Sequence, residues 1–404
     1  MAGFTETVEM RGHIIDSQLL SSVLNELADT GVEYVMEIFE IGRTVDDTSY
    51  AKIKLHSDDE QTLERVLARI HDFGANPTDI GQAELKEVDI DGAFPADFYS
   101  TTNLPTEVRV GGHWLEVQSP EMDCGVLVEG NSARTIPVSD VRKGQLVVTG
   151  RSGVRVTPLN VARGGQTFEF MASSVSSEKP KDLQIRRIAD EMRRVRDAGQ
   201  KILWVVGPAL IHTGSGPDLG ALVRNGWVSV LFGGNGFATH DIESNIFETS
   251  LGVYLSEGIP AEGGHEHHIR AINLVRRSGS IAAAVSDGTI TGGVMYDLVQ
   301  AGVPFVLGGS VRDDGPLPDT VTDILETQTK MRQHIGDVGL TIVVASMLHG
   351  IATGNILPAT VPLVCVDINP STVTKLMDRG SIQSSGLVTD VGLFVRQLKD
   401  QLVS

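Results

Sequence analysis

The chain has 404 residues, 41% hydrophobic and 21% charged, with a formal net charge of −19. That length allows two or three domains, each with its own core; the acidic excess argues against nucleic acid and against an anionic membrane surface, both of which recruit clustered Lys and Arg. Cys124 and Cys365 lie far apart with no CxxC, which excludes a disulfide framework, and with no basic-then-apolar leader or stretch of roughly 18 apolar residues, a cytoplasmic protein is expected.

Residues 1–83 read as β-α-β-β-α-β. Thr7–Ile15, Val32–Ile41 and Ser49–Leu55 pattern as strands, while Ser17–Ala28 and Asp58–His71 carry apolar residues at helical spacing. A polar turn at Thr44–Asp47 joins two of the strands, and Gly74-Ala75-Asn76-Pro77 ends the second helix. This is the order of a split-βαβ, ferredoxin-like module, a type that serves oligomerisation or ligand sensing. A homo-oligomer is expected.

Residues 84–180 change texture. Short alternating runs (Glu107–Val110, Trp114–Val117, Gly125–Val128, Ala133–Pro137, Gln145–Val148, Val154–Val156, Gln166–Met171) stand between Gly, Pro and Asp turns. They predict a small β-rich domain, followed by a polar linker at Ala172–Asp182.

Residues 181–404 read as an α/β domain. A charged helix, Leu183–Ala198, precedes near-continuous apolar runs at Ile202–Val206, Val228–Phe232, Ile281–Val285, Pro304–Leu307, Thr341–Ala345 and Leu363–Val366. Strands without alternation are buried on both faces, which predicts a parallel sheet covered by helices. Ligands in such sheets sit at the carboxyl ends of the strands.

The polar motifs cluster at those expected ends. Gly233-Gly234-Asn235-Gly236 leads into His240, Asp241 and Glu243, placing titratable groups beside a backbone that a ligand can approach closely. Ser286-Asp287-Gly288-Thr289 and Gly292-Gly293 precede another helix. Gly308-Gly309-Ser310-Val311-Arg312-Asp313-Asp314 presents a cation next to two acids. Ser346-Met347-Leu348-His349, Cys365-Val366-Asp367 and Thr389-Asp390-Val391 follow or flank later strands. A carboxylate such as Asp367 can hold a ribose diol, whereas Asp390 reads equally as a helix N-cap. His265, His267 and His268 do not share one helix face and there is no HExxH, so no metal site is expected. Arg270 or His268, on the same segment, is a candidate substrate contact. There is no GxGxxG between strand and helix and no GxxxxGK[ST].

Taken together, these segments resemble the LOR/SDH-domain family, which includes the ornithine cyclodeaminase of methanogenic archaea and the C-terminal part of the cyanobacterial arginine dihydrolase/ornithine cyclodeaminase. The likeness runs from the split-βαβ module to Asp390. It is most specific in Gly234-Asn235…His240-Asp241-Ile242-Glu243, in Gly309–Pro318, and in Ile351-Ala352-Thr353-Gly354-Asn355…Leu357-Pro358. The resemblance implies a C-terminal NAD-binding domain like that of deoxyhypusine synthase. It also implies conversion of L-ornithine to L-proline and ammonia, with NAD recycled. By motif position it places NAD contacts on Asn235, Gly236, Asp314, Ser346, Met347, Leu348, His349, Asp367, Asp390 and Val391. The dihydrolase domain of the fused proteins has no counterpart, and Ser119–Asp123 departs from the Asn-containing version of the cyclodeaminases.

That chemistry asks for a base, for which His240 or Asp241 is the candidate. It also asks for a cation on the carboxylate, Arg312 or Arg270, and an acid on the distal ammonium, Glu243 or Asp287. The competing readings are an NAD-dependent lyase or dehydrogenase acting on lysine or a saccharopine-like amino acid, and a non-catalytic NAD or amino-acid sensor.

Overall fold

A computed structural model describes residues 4–15, 19–43, 47–78, 80–157, 181–313, 315–379 and 384–403. The chain divides into two compact units, Met1–Ala172 with Asn355–Thr360, and Ser173–Gly354 with Val361–Ser404.

The first unit begins with β1 (Phe4–Gly12), α1 (Leu19–Thr30), β2 (Glu33–Glu40), β3 (Ser49–Ser57), α2 (Glu60–His71) and β4 (Asn76–Pro77). The sheet order β2-β3-β1-β4, antiparallel throughout, is that of a split βαβ. Alternation puts Val8 and Met10 of β1 and Ala51, Ile53 and Leu55 of β3 against Val23 and Leu27 of α1 and Val66 and Ile70 of α2, all fully buried. Burial of each such Leu or Ile stabilises by roughly 1.5–3 kcal/mol. Asp59 caps α2, accepting from Thr62 N at 3.0 Å. The edge strand β2 leaves Tyr34, Val35, Ile38 and Phe39 exposed.

A second sheet follows, with β5 (Glu84–Glu87), β6 (Thr106–Val110), β7 (His113–Gln118), β8 (Gly125–Glu129), β9 (Ser132–Ile136), β10 (Leu146–Thr149) and β11 (Val154–Val156). Its order is β11-β6-β7-β9-β8-β10-β5, antiparallel except for β7 with β9. Apolar clusters line both faces: Val108, Val126, Val128 and Val148 in one, Leu127, Ile136 and Val147 in the other. The expected run Gln166–Met171 and all but the last two residues of the expected linker lie outside the described residues. Asn355–Thr360 closes on this unit. Asn103 Nδ2 donates to Leu357 O at 3.2 Å, and Met122 N to Asn355 O at 3.0 Å.

The second unit holds α3 (Lys181–Asp197), β12 (Lys201–Val206), α4 (Ala209–His212), α5 (Gly216–Arg224), β13 (Val230–Gly234), α6 (Asn235–Phe247), the hairpin β14 (Thr249–Ser250) and β15 (Val253–Tyr254), α7 (His267–Ser278), α8 (Ile281–Ser286), α9 (Val294–Ala301), β16 (Phe305–Gly308) and β17 (Thr320–Val321). It continues with α10 (Ile324–Arg332), β18 (Val338–Val344), α11 (Leu348–Ile356), β19 (Leu363–Asp367), α12 (Pro370–Arg379), β20 (Ser384–Val388) and α13 (Val391–Leu402). The parallel sheet has the order β17-β16-β13-β12-β18-β19-β20. From β12 the chain builds outward on one side, then returns to β18 and builds outward on the other. The strand order therefore reverses between β12 and β18, and a crevice opens at their carboxyl ends.

One expected strand is a helix. Ile281–Val285 forms α8, because Ile-Ala-Ala-Ala-Val carries three of the best helix formers, and the Ser280 side chain caps it by accepting from Ala283 N at 3.0 Å.

Candidate active site

The carboxyl ends of the central strands come together through glycines. After β12, a Cβ on Gly207 would lie 1.8 Å from Ala345 O at the end of β18, so only glycine fits. Ala345 itself is held left-handed at φ 50°, a conformation that costs a non-glycine residue about 1 kcal/mol or more. The His349 ring lies over the ends of β13 and β16. A Cβ on Gly234 would sit 3.2 Å from its Cε1, and one on Gly308 2.9 Å from its Nε2. Burial holds the His349 imidazole below its ordinary range. Helix α6 starts at Gly234 without a side-chain cap, and Gly236 in its first turn faces open space. N–H groups at such a start favour an anion.

Helix α6 separates the candidate acid–base groups onto different faces, since successive residues are about 100° apart. His240 and Glu243, three apart, pair: His240 Nδ1 lies 2.7 Å from Glu243 Oε2. Glu243 is fully buried, and its Oε1 accepts from Thr249 Oγ1 at 2.9 Å and Gly252 N at 3.0 Å. Burial alone raises the Glu243 carboxyl, but the bonds from His240, Gly252 and Thr249 outweigh it and hold the group below its ordinary value. An ionised Glu243 keeps the His240 proton on Nδ1 and leaves Nε2 as a base with no partner among the described residues.

Asp241 points the other way. Its Oδ1 accepts from Val294 N at 2.9 Å and its Oδ2 from Met295 N at 2.7 Å, so it caps α9 across space. A cavity of about 670 Å³ on this side is lined by Asp241, Ser244, Asn245, Glu248 and the ion-paired Arg224 and Asp297. It includes neither His240 nor the glycine strand ends, and its walls are architectural groups.

The remaining expected site residues divide in the same way. Asn235 is buried and fully engaged: Nδ2 donates to Asp313 Oδ1 at 3.2 Å, while Oδ1 accepts from Leu317 N at 3.0 Å and Thr320 Oγ1 at 3.2 Å. Its side chain therefore ties α6 to the loop after β16. Asp314 lies outside the described residues. Arg312 is exposed, and its guanidinium has no partner among the described residues. Arg270 is exposed and ion-paired with Glu266. Asp287 ends α8 on an exposed turn, accepting from Thr289 N at 2.9 Å, rather than standing at a strand end. Ser346 is buried, Met347 half-exposed and Leu348 72% exposed at the start of α11. Asp367 closes β19 and accepts from Asn369 N at 2.8 Å. Asp390 caps α13 through Leu393 N at 2.8 Å, with Val391 buried behind it. Among the described residues no three His, Cys, Asp or Glu side chains are placed to hold a metal ion, and no helix is long and apolar enough to cross a membrane.

Sequence reasoning missed His212, Thr249 and Ser250, and weighed His267 only as a metal ligand. His212, just past β12, meets the His240 ring edge-on with centroids 4.8 Å apart. Its Nδ1 is 2.7 Å from Ser250 Oγ. Thr249 Oγ1 is 2.8 Å from His267 Nδ1, and His267 stacks on Phe247 at 4.6 Å. Position alone could have raised His212, since it follows the carboxyl end of a buried strand. The arrangement offers an oriented imidazole base beside an anion-favouring crevice, which suits proton removal next to a bound dinucleotide.

Three family models match successive parts of the chain. They are the LOR/SDH bifunctional enzyme conserved region over residues 5–104, the first C-terminal region of ArgZ-like arginine dihydrolases over 105–185, and the C-terminal Rossmann-fold region of those proteins over 186–398. An ornithine cyclodeaminase of Methanothermobacter thermautotrophicus is 48% identical over 394 residues, 97% of this chain and 96% of its own. The apo structure of ArgZ, an arginine dihydrolase from the ornithine–ammonia cycle in cyanobacteria, aligns with a TM-score of 0.85 at 37% identity, over 100% of this chain and 58% of that one. The ternary complex of AgrE with ornithine and NAD⁺ aligns with a TM-score of 0.54 at 41% identity, over 99% of this chain and 57% of that one.

Proposed function

The chain belongs to the ornithine cyclodeaminase family that carries the LOR/SDH and ArgZ-like C-terminal regions, and on that premise we propose that it is an NAD-dependent enzyme converting L-ornithine to L-proline and ammonia. The observation that carries this reading is the 48% identity with an ornithine cyclodeaminase along 97% of the chain. The His240–Glu243 pair near the strand ends supplies the acid–base group the reaction needs.

The residues present fit NAD. The glycine ends of β13 and β16 give a backbone that a Cβ would crowd. The uncapped start of α6 with open Gly236 would take the pyrophosphate, Asp367 the ribose diol, and Met347 and Leu348 an apolar ring face; Ser346, His349, Asp390 and Val391 would complete the cradle. When bound, NAD supplies a hydride acceptor that later returns the hydride, so it is not consumed. His240 Nε2 takes a proton from a substrate ammonium while Nδ1–H stays on Glu243. Arg312, unpaired among the described residues, takes the substrate carboxylate. Glu243, already engaged by three donors, orients His240 and does not bind the distal ammonium.

We place the protein in the cytoplasm, in proline supply from arginine-derived ornithine. The two buried free cysteines agree with a reducing compartment. A homo-oligomer is supported by the exposed apolar side chains of β2. The three-part division 1–83, 84–180 and 181–404 remains our working frame. The test is to denature the purified protein and look for released NAD(H), then to assay proline and ammonia from L-ornithine, with L-lysine in parallel. Proline and ammonia in equal amounts support the reading; NAD without proline moves the substrate to another amino acid; no NAD, even after its addition, removes the cofactor.

A further inference from the structure

L-ornithine carries two ammonium groups at neutral pH, and both nitrogens must be neutral before they react. The α-nitrogen must lose a proton before Cα gives up a hydride to NAD. The δ-nitrogen must lose one before its lone pair adds to that carbon. L-ornithine, and L-proline with ammonium ion, carry the same net charge, so both protons are given back. One goes to the nitrogen that leaves as its bond to Cα breaks, the other to the proline ring nitrogen. A single imidazole base accepts one proton at a time. On the ornithine reading above, we propose that His212 is the second acid–base group of this site, taking and returning the proton of the second amine beside His240.

The geometry of the two rings is parallel. Each has Nδ1 held at 2.7 Å by an orienting oxygen, Ser250 Oγ for His212 and Glu243 Oε2 for His240. Neither Nε2 has a partner among the described residues. The rings meet edge-on, with centroids 4.8 Å apart and planes at 68°. They arrive from different strands, His212 at the end of α4 after β12 and His240 on α6 after β13. One hairpin, β14–β15, sets both: Ser250 holds His212, and Thr249 donates to Glu243 and so holds His240. That hairpin is itself pinned, since Gly252 N donates to Glu243 Oε1 at 3.0 Å and a Cβ on Gly252 would lie 2.5 Å from the Gly264 carbonyl.

The charged and titratable groups facing His212 are His240 and Glu243 of α6; α13, which also packs on α4, carries Asp390, bonded to Leu393 N. Burial first, then His240, pushes the His212 imidazole down to about 4, against the opposing pull of Glu243. The ring is therefore neutral near pH 7, and Nε2 carries its lone pair when Nδ1–H donates to Ser250 Oγ.

The test uses the NAD-loaded protein and the variants His212→Ala and His212→Gln. Wild type is assayed first: no proline from L-ornithine defeats the ornithine reading on its own. With an active wild type, both variants are expected to lose about 10²- to 10⁴-fold in kcat, with KM for L-ornithine within about threefold. Added imidazole is expected to restore the alanine variant in proportion to its free-base concentration. A readout independent of turnover is the ¹⁵N NMR titration of the histidine rings without substrate. In His240→Gln the loss of the neighbouring ring is expected to raise the midpoint of His212, and this decides the pairing whether or not the wild type turns over. Two results overturn the proposal. One is a kcat within threefold of wild type from pH 6 to 9. The other is a loss of activity in a folded variant with no imidazole rescue, together with a His212 midpoint that does not move in His240→Gln. Should the alanine variant fail to fold, the kcat of His212→Gln and the His212 midpoint in His240→Gln decide.

Discussion

Asp241→Asn separates a cap from a base. The wild-type carboxylate is 1% exposed and accepts one N–H on each oxygen, from Val294 and Met295. Burial, only partly offset by those bonds and reinforced by Asp297, pushes its carboxyl from the ordinary 3.8 to about 6. Two units at about 1.4 kcal/mol each place the charged form about 3 kcal/mol higher, relative to the neutral one, in the folded chain than in the unfolded. Asparagine removes that charge. It also leaves one N–H facing an amide NH₂, a loss of about 1–3 kcal/mol. The two effects nearly cancel, so the unfolding free energy at pH 7.5 is expected to change by no more than about 2 kcal/mol. The sign with pH is fixed by the raised value. Stability from this group is fully present below the unfolded pKa and is lost as pH rises through about 6. From pH 4.5 to 7.5 the asparagine variant should therefore gain on wild type by about 2 kcal/mol. Urea unfolding at both pH values reads this, and kcat at pH 7.5 is expected within about tenfold of wild type, short of the 10²-fold or more lost with an acid–base group. A hundredfold fall in kcat with the fold intact would refute the reasoning and return Asp241 to the chemistry. A stability difference that ignores pH would refute the burial argument.

Four further outcomes are expected. Glu243→Gln leaves one acceptor oxygen for three donors, so kcat should fall about 10²-fold or more; a fall under threefold would count against the dyad. His71 is 1% exposed with neither ring nitrogen bonded among the described residues, and burial pushes it from 6.5 down to about 4. A depressed histidine penalises the protonated folded form, so its share of stability is intact above pH 6.5 and falls by up to about 3 kcal/mol by pH 4. His71→Phe should flatten that part of the urea-midpoint profile, and an unchanged slope would refute the assignment. Gly236→Ala meets open space and should raise stability by about 0.5–1 kcal/mol. Gly207→Ala would drive a methyl into Ala345 O and should lower Tm sharply and abolish NAD retention; a Tm unchanged by Gly207→Ala would mean the strand ends are not so close.

Burial on both faces made the central sheet readable. β12, β13, β18 and β19 lie in continuous apolar runs, such as Thr341–Ala345 and Leu363–Val366, that burial on both faces requires. Its edges were not readable for the same reason. Ser384–Val388 and Thr320–Val321 pair on one side only and carry serine, threonine and glycine, so no apolar run announces them. Ile281–Val285 failed differently. Five apolar residues satisfy a buried strand and a buried helix turn alike, and only the alanine content and the Ser280 cap decide. In the first unit, alternation and helical spacing coexist with clear turns, and the observed elements differ from the expected ones mainly at their ends.

The candidate site was readable as a place more than as a set of contacts. The glycine ends, His240 and Glu243 stand within ten residues, and a helix starting at Asn235 already implies that positions 240 and 243 share a face while 241 does not. Treating His240, Asp241 and Glu243 as one cluster overlooked that offset. What the sequence could not supply is the other half of each bond. Asp241 meets Val294 and Met295, 53 and 54 residues away, and His212 meets Ser250 across 38. Such partners are chosen by the order of strands in the sheet, because β12 and β13 lie side by side and deliver α4 and α6 to one rim. A titratable residue after a strand end is therefore weighed best by asking which neighbouring strand ends beside it. By that criterion His212 and His240 belong together before any side chain is placed.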